Sequence, residues 1–464
     1  MSLNHFNKEV YINRRNQLKK SFVSGLILLL GNEESPMNYK DNCYPFRQDS
    51  SFLYYIGLDL PALIAIIDID NNQEILYGDN FTIDDIIWMG SQPTIDELAS
   101  KVGVEKSDSL NQAREYIRKA QDMKRTIHIL PPYRPENKIK LAALLNQPIA
   151  AIGDFVSEQL ILSVVAQREI KEEIEIQEME RAVNISVDMH EAVIRNAKPG
   201  MKEFELAGMA EAIALQQWGR LSYPIILTVN GQTLHNHYHG NTIVEGQMVL
   251  CDAGAESSLR YAGDLTRTLP VSKTFSSQQK ELYQTVLNAL ETAENMLRPG
   301  IQFKEVHAAA AKQLLEGLKA VGLVRGNIDD ALAADTHTLF FQCGLGHMIG
   351  LDVHDMEDLG ENYVGYGDEI TRNKSFGWKS LRLAKSLKQG FTLTVEPGIY
   401  IIPELIDRWK AENRNKEFVN YELLESYRGF SGIRIEDNYV ITDTGSKKLG
   451  KQLARSIYEV EALR

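Results

Sequence analysis

Cysteine is scarce in this chain of 464 residues: Cys43, Cys251 and Cys343 lie far apart and cannot build a disulfide framework. A reducing, cytoplasmic compartment is the simple expectation. Positive charge is also short. With Lys+Arg 50 against Asp+Glu 63, the net charge of −13 argues against a nucleic-acid partner and, more weakly, against anionic membranes. No stretch approaches the ~20 apolar residues needed to span a bilayer. The segment "RRNQLKKSFVSGLILLLGNEE" has the basic-then-apolar order of a signal peptide. It ends in Gly31-Asn32-Glu33-Glu34 without a small-x-small cleavage site, so a buried strand, "GLILLL", explains it better.

What remains is an ordinary globular composition, 44% apolar and 24% charged, in a chain long enough for two or three domains. Up to about residue 165, helical and strand-like signals alternate, and "DIDNNQEILYG" reads as a hairpin around Asn71-Asn72. From Val165 a long, charged, amphipathic helical pattern runs to Pro199-Gly200. The expected organisation is a mixed α/β domain over residues 1–165 and a second domain over 166–464, an α+β chain overall. The second half repeats itself. "RNAKPGMKEFEL" and, a hundred residues on, "NMLRPGIQFKEV" each end one helix at Pro-Gly and start another. The long helix of the second copy opens at Ser276-Ser277-Gln278-Gln279, a capping-box signature. Two related halves about a pseudo-twofold axis follow.

Four acids sit in strand-like surroundings of Val, Leu, Ile, Thr and Gly: Asp252 and Asp264 in "DAGAESSLRYAGD", Glu396 in "FTLTVEPGIYI" and Glu436 in "SGIRIED". His347 lies in the glycine-rich "CGLGHMIGLDVHD". A single acid at a strand end is usually solvated; four, drawn from both repeats and joined by a histidine, suggest convergence. Like charges ~4 Å apart repel by ~4 kcal/mol even at an effective dielectric of 20. Two divalent cations would cancel four carboxylates, and an oxygen-rich donor set favours manganese-like ions, with cobalt, iron or zinc also able to bind.

"DAGAESSLRYAGDLTRT", "HMIGLDVHD", "TVEPGIY" and "GIRIED" resemble the motifs of the dinuclear metallopeptidases with the pita-bread (creatinase/aminopeptidase-like) fold. The nearest branch is the Xaa-Pro peptidases, aminopeptidase P and prolidase. "FRQDSSFLYYIGLDLP" and "DIIWMG" resemble the amino-terminal domain of that branch, so the likeness covers nearly the whole chain. The resemblance implies that Asp252, Asp264, His347, Glu396 and Glu436 are the metal ligands, with Asp264 and Glu436 bridging both ions. It implies hydrolysis of the bond between an amino-terminal residue and proline, in dipeptides or longer peptides, by a metal-bridging hydroxide. His354 would hydrogen-bond the oxyanion and Glu396 would shuttle a proton to the departing nitrogen. His235 and His354 match substrate-contacting histidines, and Arg434 matches an arginine beside the site. Alternation along "GIRIED" independently puts Arg434 and Glu436 on one strand face. Arg382 resembles the prolidase arginine that grips a dipeptide's free carboxylate. A homodimer or higher homo-oligomer is also implied.

Two departures stand out. Cys343 occupies a position where the family usually carries a substrate-binding histidine, and the segment between Asp252 and Asp264 is one residue longer than the pattern. A thiol is a poorer donor, so weaker activity or altered preference follows. His237 and His239 read as loop neighbours. The rival reading is a pita-bread scaffold, catalytically weak or inactive, that binds a protein partner. Against it stands the full ligand set, which also disfavours creatinase; the large amino-terminal domain disfavours a methionine aminopeptidase.

Overall fold

The structure is a computed structural model that describes residues 5–368 and 370–464. The chain divides into two compact units, Met1–Arg168 with Asp358–Tyr363, and Glu169–Glu357 with Val364–Arg464.

The first unit is built on a sheet of β1 (Leu26–Leu30), β2 (Ile64–Asp68), β3 (Gln73–Tyr77), β4 (Lys106–Asp108) and β5 (Ile127–His128). Its order is β4-β3-β2-β1-β5, antiparallel in the centre and parallel at both edges. "GLILLL" is the buried strand β1. The β2–β3 hairpin closes through Asn71, whose N–H donates to the Asp68 carboxylate at 3.0 Å, and Asn72, at a φ of 46°. Helices α1 (Lys8–Lys19), α2 (Ser50–Ile56), α3 (Ile83–Met89), α4 (Ile95–Lys101), α5 (Leu110–Asp122), α6 (Pro135–Leu145) and α7 (Glu158–Arg168) complete the unit. One apolar core joins β1, β2 and β5 to α5 and α6 through Leu28, Ile66, Ile127, Ile117 and Leu145.

The second unit opens with α8 (Glu173–Asn196) and α9 (Glu203–Gln216). The single long helix expected from Val165 is in fact two, α7 and α8, with a break at residues 169–172. Glu172 caps α8 reciprocally with Glu175. In the break, Glu169 is held by Lys385 and Lys388 at 2.6 and 2.9 Å, and Lys171 by Asp355 at 2.8 Å. The Glu169–Lys385 and Lys171–Asp355 pairs are buried, whereas Lys388 reaches Glu169 from an exposed position.

Strands β6 (Arg220–Leu221), β7 (Ile226–Thr228), β8 (Met248–Ala253), β9 (Ala255–Glu256) and β10 (Leu265–Pro270) follow. Then come α10 (Ser277–Met296), capped by Ser276 and Gln279, and α11 (Phe303–Ala320). The last strands are β11 (Thr392–Val395), β12 (Gly398–Tyr400), β13 (Gly432–Arg434), β14 (Asp437–Ile441) and β15 (Ser446–Lys448). Of the two three-stranded sheets, β10-β8-β7 packs against α8 and α9, and β11-β14-β15 against α10.

The duplication is visible bond by bond. After α8, the Gly200 N–H donates to the Ile243 carbonyl, Ile243 to Met201, and Glu203 to Asn241; after α10, Gly300 donates to Leu387, Leu387 to Ile301, and Phe303 to Lys385. Gly200 and Gly300 both take a left-handed φ, 92° and 86°, which glycine adopts without a Cβ penalty. The halves are stitched together where Thr266, in β10, bridges to Glu436.

Candidate metal centre and active site

β8 and β10 pair antiparallel, with Asp252 opposite Thr266, and Asp264 stands at the entry to β10. Both carboxylates are buried. A β-carbon on Gly254 would lie 1.9 Å from the Gly263 carbonyl oxygen, so the hairpin's waist admits only glycine there. The Asp264 N–H donates to the Asn438 side chain at 2.9 Å, and the Asn438 amide donates back to the Asp264 carbonyl at 2.5 Å, locking the aspartate to β14 of the other half.

The second half supplies the rest by the same kind of close approach. A Cβ on Gly346 would meet the Thr394 carbonyl oxygen at 2.0 Å, so the "GLGH" backbone lies directly against β11. Thr394 N–H donates to the His347 carbonyl at 3.0 Å, and Glu396 N–H to the Leu345 carbonyl at 2.7 Å. His347 and Glu396 are thereby set side by side, with Nε2 at 3.6 Å from a Glu396 oxygen and 3.4 Å from Asp264. Glu436, between β13 and β14, accepts from the Thr266 hydroxyl at 2.7 Å. Asp264, His347 and Glu436 each present an atom within 4.8 Å of the others.

Arg434 is buried beneath this group. It donates to Asp252 at 2.5 Å, to the Tyr400 hydroxyl at 2.9 Å and to Thr266 Oγ1 at 3.1 Å. Residues the sequence reading did not single out complete the wall. The Tyr223 hydroxyl lies 2.5 Å from both Asp252 Oδ1 and Asp264 Oδ1. Glu357 bridges His354 Nδ1, at 2.5 Å, and Arg382, at 2.7 Å. The His354–Glu357 spacing of three residues was the one local sign of this pair. Tyr223 and Thr266 gave none, because their partners are remote in sequence.

A cavity of about 490 Å³ opens over the cluster. His235, Cys343, His354, Arg382 and Arg434 all line it together with the four acids and His347. The His354 ring stacks on His347 with centroids 3.9 Å apart. His235 is largely exposed, with its pKa lowered by partial burial and by Arg434. Cys343 is half-buried, its Sγ 3.9 Å from the Tyr400 hydroxyl; desolvation and the Glu396 carboxylate push its thiol up to about 12. Of the two loop histidines, His237 also lines the cavity, while His239 Nε2 sits 3.1 Å from the Ile225 carbonyl oxygen.

The electrostatics call for a cation. Burial, and then Asp264, Glu396 and Asp252, raise Glu436 well above the ordinary carboxylate range, and its Oε1 is buried without a hydrogen-bond partner among the described residues. Burial lifts Glu396 to about 7. Burial alone would lower His347, yet its hydrogen bond to Asp264 and the Glu396 charge carry it up to about 9. Tyr223 has one proton for two carboxylate oxygens, so the second contact needs a protonated acid or a metal ion to be favourable. Four carboxylates and an imidazole are a donor set for hard divalent cations, and the five groups could hold them.

Residues 177–443 match metallopeptidase family M24, and residues 11–129 match the aminopeptidase P N-terminal domain. The human protein "Xaa-Pro dipeptidase" is 30% identical over 450 residues, spanning 95% of this chain and 88% of its own. "Xaa-Pro aminopeptidase" of Escherichia coli (strain K12) is 29% identical, spanning 99% of this chain and 98% of its own. The zinc-substituted E. coli aminopeptidase P in complex with product superposes with a TM-score of 0.81 at 28% identity, covering 99% of this chain and 98% of that one. With these matches over a pita-bread catalytic unit, the chain belongs to metallopeptidase family M24, in its Xaa-Pro peptidase branch.

Proposed function

We propose that this protein hydrolyses the bond between an amino-terminal residue and proline, with two divalent cations held by Asp252, Asp264, His347, Glu396 and Glu436. The supporting observation is the gathering of these side chains, from both halves of the duplication, on one cavity. Similarity to enzymes named Xaa-Pro dipeptidase and Xaa-Pro aminopeptidase along nearly the whole chain adds the substrate class. Cations bound there supply an acidified water as nucleophile and polarise the scissile carbonyl.

The protein's own groups divide the remaining work. Arg434 orients the Asp252 carboxylate from below. Glu396, partly open to the cavity, can pass a proton to the departing proline nitrogen. His354 Nδ1–H is taken by Glu357, so Nε2 donates to the developing oxyanion only from the imidazolium form; burial and then His347 oppose that form, and Glu357 favours it. His235 and Cys343 flank the substrate. Arg382, fixed by Glu357 at the cavity wall, offers its guanidinium to a free carboxylate, which favours dipeptides. The oxygen-rich ligand set favours manganese. Further parts of the proposal are a homodimer or larger homo-oligomer and, from the free thiols Cys43, Cys251 and Cys343, a reducing cytoplasmic setting. Among the described residues no helix is long and apolar enough to cross a membrane.

The test is hydrolysis of Ala-Pro and Ala-Pro-Ala by protein loaded with manganese, its metal content checked by elemental analysis. Turnover of at least one peptide, abolished by a chelator, is expected. A fully loaded protein that cleaves neither refutes the function, and faster cleavage of the tripeptide ends the dipeptide preference.

A further inference from the structure

Arg382 owes its place to a short segment that the site chemistry leaves unexplained. Its backbone is wedged between two glycines. A Cβ on Gly344 would lie 2.7 Å from the Ser380 carbonyl oxygen, and one on Gly365 would lie 1.9 Å from the Arg382 carbonyl oxygen. Just upstream, Trp378–Ser380 form a single 3-10 turn. The Trp378 indole Nε1–H donates to Asp335 Oδ1 at 2.7 Å, and its ring packs edge-on against His307 and His337, with centroids 5.0 and 5.5 Å away. Asp335, at a φ of 57°, precedes the 3-10 turn Thr336–Leu339, from which the chain runs on to Cys343 and His347. The same carboxylate therefore ties the wall carrying Arg382 to the wall carrying His347.

Hydrogen bonding between a neutral indole and a carboxylate is charge-assisted and directional. Arg382 has a long, rotamer-rich side chain, so its reach depends on where its backbone is fixed. We propose that Asp335 and Trp378 are positioning residues that hold Arg382 at the height needed to grip a peptide's free carboxylate. The inference rests on the reading of the site as an Xaa-Pro peptidase and deepens it by assigning the residues that set carboxylate recognition.

The experiment compares Ala-Pro with its carboxamide, Ala-Pro-NH2, in the full-length, metal-loaded protein. Trp378→Phe keeps an aromatic ring beside the two histidines while removing the indole N–H donor and part of the ring. It raises KM for Ala-Pro about tenfold, the loss of one charge-assisted hydrogen bond's worth, while kcat stays within about twofold and the amide's KM is unchanged. Asp335→Asn retains an Oδ1 acceptor and tolerates the left-handed backbone but loses the charge, so its KM for Ala-Pro lies between wild type and Trp378→Phe while the amide's KM is unchanged. Arg382→Met erases the difference between acid and amide. Equal losses on both substrates, or unchanged KM for Ala-Pro in Trp378→Phe, overturn the proposal. If the wild type cleaves neither of these nor Ala-Pro-Ala, the peptidase reading itself fails. The anchor is then read from amide hydrogen exchange over residues 378–382: faster exchange in Trp378→Phe supports it, and unchanged exchange overturns it.

Discussion

Replacing Tyr223 with phenylalanine removes one oxygen from the floor of the centre and leaves the ring. That hydroxyl lies 2.5 Å from one oxygen each of Asp252 and Asp264. With cations bound and both carboxylates ionised, it donates to one of them and fixes the spacing of the pair. Loss of such an outer partner typically weakens metal affinity about 10–100-fold, or roughly 1.4–2.7 kcal/mol. In the metal-free protein the cost is smaller, because burial and Asp264 already raise Asp252 and a proton taken up there relieves the repulsion. Competition with a fluorescent chelator should therefore show weaker manganese binding, while the melting temperature of the metal-free protein moves by only a few degrees. At saturating manganese, kcat should fall less than about tenfold, since the ligands themselves are intact. Unchanged affinity with unchanged melting would refute the idea that Tyr223 organises the aspartates. A collapse of the metal-free fold would instead make it a structural prop.

Three further perturbations test other parts of the structure. His190, His307 and His337 are buried, and desolvation lowers them to about 4, 3 and 4. Each binds its proton less readily folded than unfolded, so stability is complete above pH ~6.5 and falls as the pH drops toward 4, by about 3 kcal/mol or more per histidine. Glu396 and Glu436, raised by burial, gain stability over the same window in the metal-free protein. The histidine share is therefore read as the difference between wild type and His307→Leu in denaturant midpoints from pH 7 to 4.5. The wild type should lose more stability than the variant on acidification, and equal slopes would count against a buried neutral His307. Arg267 is fully buried and donates to the carbonyls of Thr266, Glu436 and Ala454 and to the Asp437 carboxylate. Arg267→Met should cost about 3–5 kcal/mol. For a unit of about 300 residues that is a fall of roughly 5–8 °C in calorimetry, and a shift below about 2 °C would contradict it. Cys343→His restores a cationic donor to the cavity wall, and kcat/KM on Ala-Pro should rise severalfold; no gain would mean that the Tyr400–Cys343 side of the cavity does not meet substrate.

What the sequence made legible had short-range causes. "GLILLL" is a buried strand because a continuous apolar run bounded by turns has few other solutions, and Ser276 caps α10 because its partner Gln279 is three residues away. The repeat was readable because Pro-Gly ends both long helices, and the structure repeats even the hydrogen bonds around Gly200 and Gly300. The acids were visible because carboxylates are conspicuous inside strands. What stayed hidden depends on contacts across the fold. Nothing near Tyr223 or Thr266 announces partners 29 to 170 residues away. The break between α7 and α8 is set by Lys385, Lys388 and Asp355, far downstream, which override a local pattern that reads as uninterrupted helix.

The seam where Thr266 meets Glu436 has a consequence for biosynthesis. Asp252 and Asp264 leave the ribosome long before Glu436, and the bond that registers one sheet against the other cannot form until that late strand arrives. A nascent chain that stops short of Glu436 therefore lacks at least one of the five proposed ligands and the bridge that joins the two sheets.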